Sequence, residues 1–412
     1  MPDSATGYNL DDDPTRHYRP ESNRAGVALC LSGGGFRAAL FHLGAIRALN
    51  ELDVLPQVKA IASVSGGSVL AAFLARADVW PLQRKLDHEE WEQKIARPFR
   101  RFVSRDRRTK PILLGLFPKH SAVDLFADEI RSALDEHSLR TLPMCPQFIF
   151  CASDLTFGGL WRFEREQVGD AEIGFAETKP PYDSLALAAA VSACIAPHFA
   201  PYVFPFREAE FRNGRIEPGD PLRKVGKVTL NDGGTYDNLG LEAVWRDYAT
   251  VLVSDGGAPH LPMGDTWFSR MKGRTIGSST LNDQMGRLAR RRWFIANIQN
   301  STFKGAYWGI NTTPRNHSTR CNYGYSRDFV RTRIARIRTD LDAFSAGEQA
   351  VLENHGYMVA QASVSRWAGR VLGLTVLPEL VGPLPHPDPH WTDEVQLGTD
   401  LARSHRLVLL GR

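Results

Sequence analysis

An α/β fold is predicted, with a mainly parallel central sheet flanked by helices and a helical C-terminal extension. Three features of the sequence predict it. Short apolar runs alternate with helical stretches from about residue 25 onward. Three consecutive glycines, Gly33, Gly34 and Gly35, separate the apolar run "GVALCL" from "FRAALFHLGAIRALNEL", whose apolar residues recur at helical spacing. A serine, Ser65, stands where a second apolar run, "VKAIASVS", gives way to the helical "GGSVLAAFLARA".

The elements follow in order. Residues 1–24 are polar and read as a mobile leader; they contain no apolar stretch of the kind a signal peptide requires. The domain is expected over 25–374. After the first two strand–helix units, residues 80–140 are rich in charge and read as helices with connecting loops. "QFIFCASDL" and "LWRFERE" suggest a strand pair turning at "TFGG". "DSLALAAAVSACIA" is helical and Pro197 ends it. "KVTLNDGG" and "TVLVSDGG" are two further strands, each closing on Asp-Gly-Gly, with "LEAVWRDYA" expected as a helix between them. Near the C-terminus, "DLDAFSAGEQAVLENHGYMVAQASVSRWA" reads as helical, with Ser345 and Glu348 spaced for a capping box. The Pro-rich residues 375–412 read as an extended tail.

Composition narrows the class of protein. With 43% hydrophobic and 23% charged residues in 412, the chain can bury a large core. A net charge of +4 without a base-reading motif gives no reason to expect nucleic acid as a partner. The five cysteines, Cys30, Cys145, Cys151, Cys194 and Cys321, lack paired or CxxC spacing and read as reduced thiols of a cytoplasmic protein. No run approaches the length needed to span a bilayer, so any membrane contact is peripheral. No metal or other cofactor is expected, and "HPDPH" belongs to the Pro-rich segment.

A strand, a glycine loop and a helix together aim backbone N–H groups at a negative charge. Gly33, Gly35 and Ala38 also fit the dinucleotide pattern G-x-G-x-x-A, but the second strand ends in "ASVSGG", without the acid that would hold a ribose. The serine offers another reading. Ser63, Ser65 and Gly67 form a variant of the G-x-S-x-G nucleophile elbow, in which small neighbours tolerate a strained turn. A nucleophilic serine requires a base. His198 and His260 are the histidine candidates; Asp232 and Asp255, each at a strand end before two glycines, are the carboxylate candidates.

Taken together, "LSGGGFR", "SVSGGS" and a downstream "DGG" resemble the patatin-like phospholipases, lipid acyl hydrolases with a Ser–Asp dyad in an α/β sheet. "AAAVSACIAPHFAPYVF" and "FIFCASDLTFGGLWRF" extend the resemblance, which covers roughly residues 26–260. It implies Ser65 as nucleophile, Gly33, Gly34, Gly35 and Arg37 as the oxyanion loop, and Asp232 as proton acceptor. Asp232 is preferred to Asp255 because Asn238 follows it, as an asparagine follows the family's aspartate; Leu239 stands where the family has proline. Ser192 and Pro197 are expected to shape the acyl pocket.

The implied substrate is a lipid or another acyl ester. Two basic stretches, 96–118 and 287–294, are expected to meet a membrane surface peripherally. A soluble-ester or thioester hydrolase and a non-catalytic interaction module on the same scaffold are the alternative readings.

Overall fold

The computed structural model describes residues 24–405, apart from 77, 78, 81, 83, 118–120, 136, 197, 258–277 and 375–379; residues 278–284 are described through their backbone alone. The sheet is built on β1 (Val27–Leu31), β2 (Val58–Val64), β3 (Gln147–Asp154), β9 (Thr250–Asp255) and β10 (Lys304–Gly309), all parallel, in the order β10-β9-β1-β2-β3. β1 is buried at every position, as a strand covered on both faces must be. Its residues alternate between two cores: Leu29 and Leu31 join the larger, Ala28 and Cys30 the smaller.

Beyond β3 the sheet turns antiparallel through β4 (Leu160–Phe163), β5 (Gln167–Asp170) and β6 (Gly174–Glu177). The expected β3–β4 pair therefore forms. β7 (Tyr202–Pro205) and β8 (Lys227–Asp232) make a further antiparallel pair, and β8 docks on β3.

Helices α1 (Gly35–Glu51) and α2 (Gly66–Leu74) leave the ends of β1 and β2. The charged region holds α3 (His88–Trp91), α4 (Arg97–Val103), α5 (Thr109–Leu114) and α6 (Ala122–Leu134). α7 (Leu185–Ala193) begins at Ser184, whose hydroxyl caps the Leu187 N–H. α8 (Gly234–Asp237) follows β8, and α9 (Ser278–Gln299) and α10 (Arg327–Thr332) lie on either side of β10 in the chain. The capping box at Ser345 and Glu348 opens α11 (Ala346–Trp367).

α1 and α11 cross at very close range. A Cβ on Gly44 would lie 1.9 Å from the Glu353 carbonyl oxygen, and one on Gly356 1.9 Å from that of Phe41. Reciprocal glycines thus fix α1, and with it the glycine loop at its start.

Two stretches differ from the local pattern. Residues 242–247 are a series of turns instead of a helix. The Asp237 carboxylate accepts the N–H groups of Leu239 and Glu242 at 3.0 and 2.8 Å, and the turns beyond are closed by the Leu241 and Val244 carbonyls, which accept from Trp245 and Tyr248 at 3.0 and 3.2 Å. The Pro-rich segment is irregular from 380 to 388 and lies on the body of the protein. Leu380, Val381, Leu384 and Trp391 pack against the main core, and α12 (Glu394–Asp400) buries Leu397. Asn354 exchanges two hydrogen bonds with the His386 backbone, at 3.0 and 2.9 Å.

Candidate active site

The first component of the site is the glycine loop between β1 and α1. Gly34 and Gly35 have φ of 141° and 61°, values that L side chains rarely adopt. Three tethers hold the loop. The Gly33 N–H donates to the Asn238 carbonyl at 3.0 Å, and the Phe36 N–H to that of Asp340 at 2.8 Å. The Ser32 hydroxyl accepts from the Gly256 N–H at 2.8 Å. Beneath the loop, buried His42 contacts the Ser254 hydroxyl through Nδ1 at 2.7 Å and the Ser32 carbonyl through Nε2 at 2.9 Å. Burial pushes the His42 imidazole down to about 4, so it is neutral at pH 7.

Arg37, expected in the oxyanion loop, is only 2% exposed. It donates to the Gly256 carbonyl through Nε and Nη2 at 3.2 and 3.0 Å, and to the Ile337 carbonyl through Nη1 at 2.9 Å. Burial and the nearby Arg287 lower its affinity for the proton to about 9, still charged at pH 7. Its guanidinium and the Gly33 N–H are therefore both engaged with carbonyls. Among the described residues, the N–H groups of Gly34 and Gly35 have no intramolecular acceptor.

The second component is the turn at Ser65, where φ is 53° and ψ −123°. A non-glycine residue held there stores about 1–3 kcal/mol of strain. Close packing enforces it: a Cβ on Gly67 would lie 2.4 Å from the Leu31 carbonyl oxygen, so α2 can start only against a bare backbone. A chain of serines braces the turn. The Ser65 N–H donates to Ser192 Oγ at 3.0 Å, and the Ser192 hydroxyl to the Cys151 carbonyl at 2.6 Å. Ser68 contacts Ser192 at 2.8 Å and Ser63 at 3.0 Å, while Ser63 reaches the Ile149 carbonyl at 3.3 Å. The serine at 63, in place of the elbow's usual glycine, is thus part of the brace. Ser65 is 8% exposed, buried but not sealed.

The third component is Asp232, and the sheet explains its position. β3 pairs with β2 up to Val64↔Cys151 and with β8 from Asp232↔Ala152 onward. β4 occupies the other edge of the same residues, so β2 and β8 share one edge of β3 and meet end to end. Ser65 leaves β2 where Asp232 closes β8. Around this junction, a Cβ on Gly33 would lie 3.0 Å from the Ser65 Cβ and 2.1 Å from Asn238 Oδ1. One on Gly234 would lie 2.9 Å from Asp232 Oδ1 and 2.6 Å from the same Asn238 oxygen. Ser65 and the Asn238 amide therefore crowd the Gly33 backbone, and Asp232 and the same amide crowd that of Gly234. The Asp232 Oδ1 accepts the Gly234 N–H at 2.7 Å, and its carbonyl accepts from Ser153 at 2.8 Å.

Asp255, the other Asp-Gly-Gly aspartate, has different surroundings. It ends β9, which β1 separates from β2. Arg287 contacts its carboxylate at 3.0 and 3.1 Å, Tyr307 donates to it at 2.6 Å, and the Gly257 N–H at 2.9 Å. Burial raises this carboxyl, but these partners outweigh it and hold it below the ordinary range. Of the histidine candidates, His198 is exposed, five residues past the end of α7, and His260 lies outside the described residues, as does Pro197. All five cysteines are free thiols. Among the described residues, no three His, Cys, Asp or Glu side chains gather as a metal site would need. A cleft of about 850 Å³ bordered by Arg162, Tyr236, Trp245, Arg290 and Trp293 includes none of Ser65, the glycine loop or Asp232.

The family model described as patatin-like phospholipase matches residues 29–245, from the middle of β1 to beyond Asp232. The chain belongs to the patatin-like phospholipase family. Shorter similarities agree in name. A patatin-like phospholipase domain-containing protein of Aspergillus terreus is 41% identical over 66 residues, which are 16% of this chain and 9% of that protein. One of Aspergillus fumigatus is 47% identical over 55 residues, 13% and 7% of the two chains. This patatin-like chain thus spans less than a tenth of the length of either relative. Human GIVD cytosolic phospholipase A2 superposes over 85% of this chain and 62% of its own, with a TM-score of 0.48 and 12% identity. VipD from Legionella pneumophila covers 84% and 68%, with a TM-score of 0.35 and 13% identity. Within the patatin-like domain, Asn238 and Ser192 are the site residues whose placement the sequence obscured. Asn238 is visible in the sequence only as the asparagine after Asp232, and Ser192, expected to shape the acyl pocket, has its buried hydroxyl engaged with Ser65, Ser68 and Cys151.

Proposed function

We propose that this protein is a lipid acyl hydrolase that cleaves fatty-acyl esters with Ser65 as nucleophile and Asp232 as proton acceptor. The observation that carries the reading is the meeting of β2 and β8 on one edge of β3, which brings a strained serine turn to the end of an aspartate-bearing strand. Asp232 takes the Ser65 hydroxyl proton as Oγ bonds to the ester carbonyl carbon. The carbonyl oxygen becomes an oxyanion, and the N–H groups of Gly34 and Gly35 stabilise it. A preorganised donor of this kind contributes about 3–4 kcal/mol. Collapse of the tetrahedral species breaks the ester C–O bond, and the alcohol leaves with the proton from Asp232. Water, deprotonated by the same carboxylate, then releases the fatty acid from Ser65.

In this reading, Gly33 and Arg37 shape the loop through their carbonyl partners, and Ser63 and Gly67 shape the elbow. The reaction calls for no cofactor. The substrate is a phospholipid or related acyl ester, reached by peripheral contact with a membrane surface; among the described residues no helix is long and apolar enough to cross one. The test is hydrolysis of a medium-chain acyl ester together with fluorophosphonate labelling. Wild-type activity and labelling, both lost in Ser65→Ala, support the reading. A chain that neither hydrolyses any ester nor takes the label is a non-catalytic patatin-like module.

A further inference from the structure

We infer that the tip formed by α5 and residues 115–117 is a lipid-docking finger tied directly to the glycine loop. This rests on the acyl-hydrolase reading only for its occupant, a lipid surface. The observation is an exposed apolar cluster within five residues: Leu113 is 49% exposed, Leu116 76% and Phe117 61%. Single exposed leucines are ordinary, but three large apolar side chains crowded at one tip are not.

The finger is anchored at its base. Pro111 is buried, and a Cβ on Gly115 would lie 2.6 Å from the Ala122 Cβ, so the turn presses on the start of α6. Asp106 accepts the N–H groups of Arg108 and Thr109, both at 3.0 Å, which fixes where α5 begins. The apolar side chains are thus held outward on a built support.

Charge identifies the occupant. Of the basic residues in 97–110, Arg100, Arg107 and Arg108 face inward and pair with Glu92 and Glu353, with Glu129, and with Asp340. Arg101 and Arg105 are exposed with no carboxylate partner among the described residues, and Lys110, in the first turn of α5, is largely exposed with Glu129 3.9 Å from its ammonium. Exposed apolar side chains at the end of a segment that also carries exposed cations match an anionic bilayer surface. The tip is also far smaller than the area a stable protein interface buries on each partner. In the basic stretch 287–294, Arg287 pairs with Asp255 and Arg290 with Asp237 and Glu242, and its exposed apolar side chain, Trp293, is 38% exposed, less than any of the three at the tip.

The same base touches the catalytic loop. Arg107 donates its N–H to the Leu341 carbonyl at 3.0 Å, and Arg108 meets the Asp340 carboxylate at 2.8 Å. The Asp340 carbonyl in turn holds the Phe36 N–H, and its backbone lies where a Cβ on Gly35 would fall. Docking of the finger therefore sets the glycine loop beside the interface, where an acyl chain can pass from bilayer to Ser65.

The experiment compares wild type with Leu116→Asp/Phe117→Asp in two assays. These are sedimentation with phosphatidylcholine vesicles containing a minority of phosphatidylglycerol, and turnover of a soluble medium-chain ester. Wild type is expected to sediment with the vesicles. The double variant is expected to bind at least about tenfold more weakly, the effect of withdrawing one such side chain from lipid. Its soluble-ester turnover is expected to stay within about twofold of wild type, since neither residue borders Ser65. Equal sedimentation of the two proteins, or none by wild type, overturns the finger as a lipid site. So does unchanged lipid binding with lost self-association on gel filtration, which would assign the tip to contacts between copies. Absence of ester turnover in wild type overturns the hydrolase reading alone, because sedimentation still decides the finger.

Discussion

Val64 and Asp232 stand opposite consecutive residues of β3, Cys151 and Ala152, on the same edge of that strand. Two strands running in opposite directions thus end against each other, and the residue after Val64 is Ser65. The close fit at the seam is visible at Gly233, where a Cβ would lie 2.3 Å from the Cys151 carbonyl oxygen and 3.1 Å from Val64 Cγ1. The topology thus brings Ser65 and Asp232 to one junction, the placement on which the proposed proton transfer depends.

The first prediction separates the two aspartates. Asp232→Asn is expected to cut ester turnover by about a thousandfold or more, as loss of a catalytic base does, and to leave the protein folded. Asp255→Asn leaves Arg287 and Tyr307 facing an amide in a buried setting, and is expected to cost about 3 kcal/mol of stability. Turnover per folded molecule should then persist. Thermal denaturation beside initial rates distinguishes the two outcomes. Reversed roles would move the base to Asp255.

Much of this was legible in the sequence, and the rest was hidden for a physical reason. Strand–loop–helix at Gly33–Gly35 and at Ser65 is local chemistry: apolar runs, small residues and helical spacing all lie within a few residues. The two Asp-Gly-Gly endings are locally alike. What separates them is that β8 runs antiparallel to β3 while β9 is parallel to β1, and strand direction is set by chain paths tens of residues long. Ser192 braces Ser65 across 127 residues of sequence, so no window contains both. The segment 241–249 differs because its apolar residues fit a helix, yet it closes only isolated helical bonds, Trp245 N–H to the Leu241 carbonyl and Tyr248 N–H to that of Val244.

The second prediction concerns that brace. Ser192→Ala removes the acceptor of the Ser65 N–H and the hydroxyl shared with Ser68 and the Cys151 carbonyl. Buried polar groups left unpaired cost about 1–3 kcal/mol, so the melting temperature should fall. Because the elbow is a strained turn kept in place by its surroundings, turnover should fall more than stability alone explains. Equal turnover per folded molecule in variant and wild type would reduce Ser192 to a packing role.

A third prediction is a pH dependence of stability. Asp154 and Asp170 are both buried, and each accepts two backbone N–H groups, from Thr156 and Phe157 and from Glu172 and Ile173. Burial, reinforced by the neighbouring Asp154 carboxyl, raises Asp170 to about 7 from an ordinary 3.8. The folded state then holds a proton that the unfolded chain releases, so stability falls as pH rises from about 4 to about 7. Asp170→Asn is expected to flatten this part of the profile. Melting temperatures measured across that range check the sign: a wild-type profile that rises with pH in step with the variant's would exclude the shared proton.

The fourth prediction tests the support beneath the glycine loop. Arg37 joins the Gly256 and Ile337 carbonyls, tying α1 to the end of β9 and to the segment before α11. Hydrogen bonds from a charged group contribute about 1.5–3 kcal/mol each, so Arg37→Ala should destabilise by several kcal/mol. Arg37→Lys restores the charge without the planar fork that reaches two carbonyls at once, and should recover little. If lysine fully restores both melting temperature and turnover, charge near the loop is what matters and the fork is dispensable.

The last prediction is steric. A Cβ on Gly33 would fall 2.1 Å from Asn238 Oδ1 and 3.0 Å from the Ser65 Cβ. Gly33 itself donates to the Asn238 carbonyl, so the loop cannot retreat without losing that bond. Gly33→Ala is therefore expected to displace the Asn238 amide and cut turnover by about a hundredfold, the scale of a roughly 1 Å misplacement near reacting groups. The melting temperature should move little, because the strain is relieved by a partly exposed side chain at the site instead of by the core. Adding Asn238→Gly removes the atom in collision. If Asn238 only crowds the site, the double variant regains most of the lost turnover; if its amide orients the carboxylate or the ester, the double variant stays inactive while remaining folded.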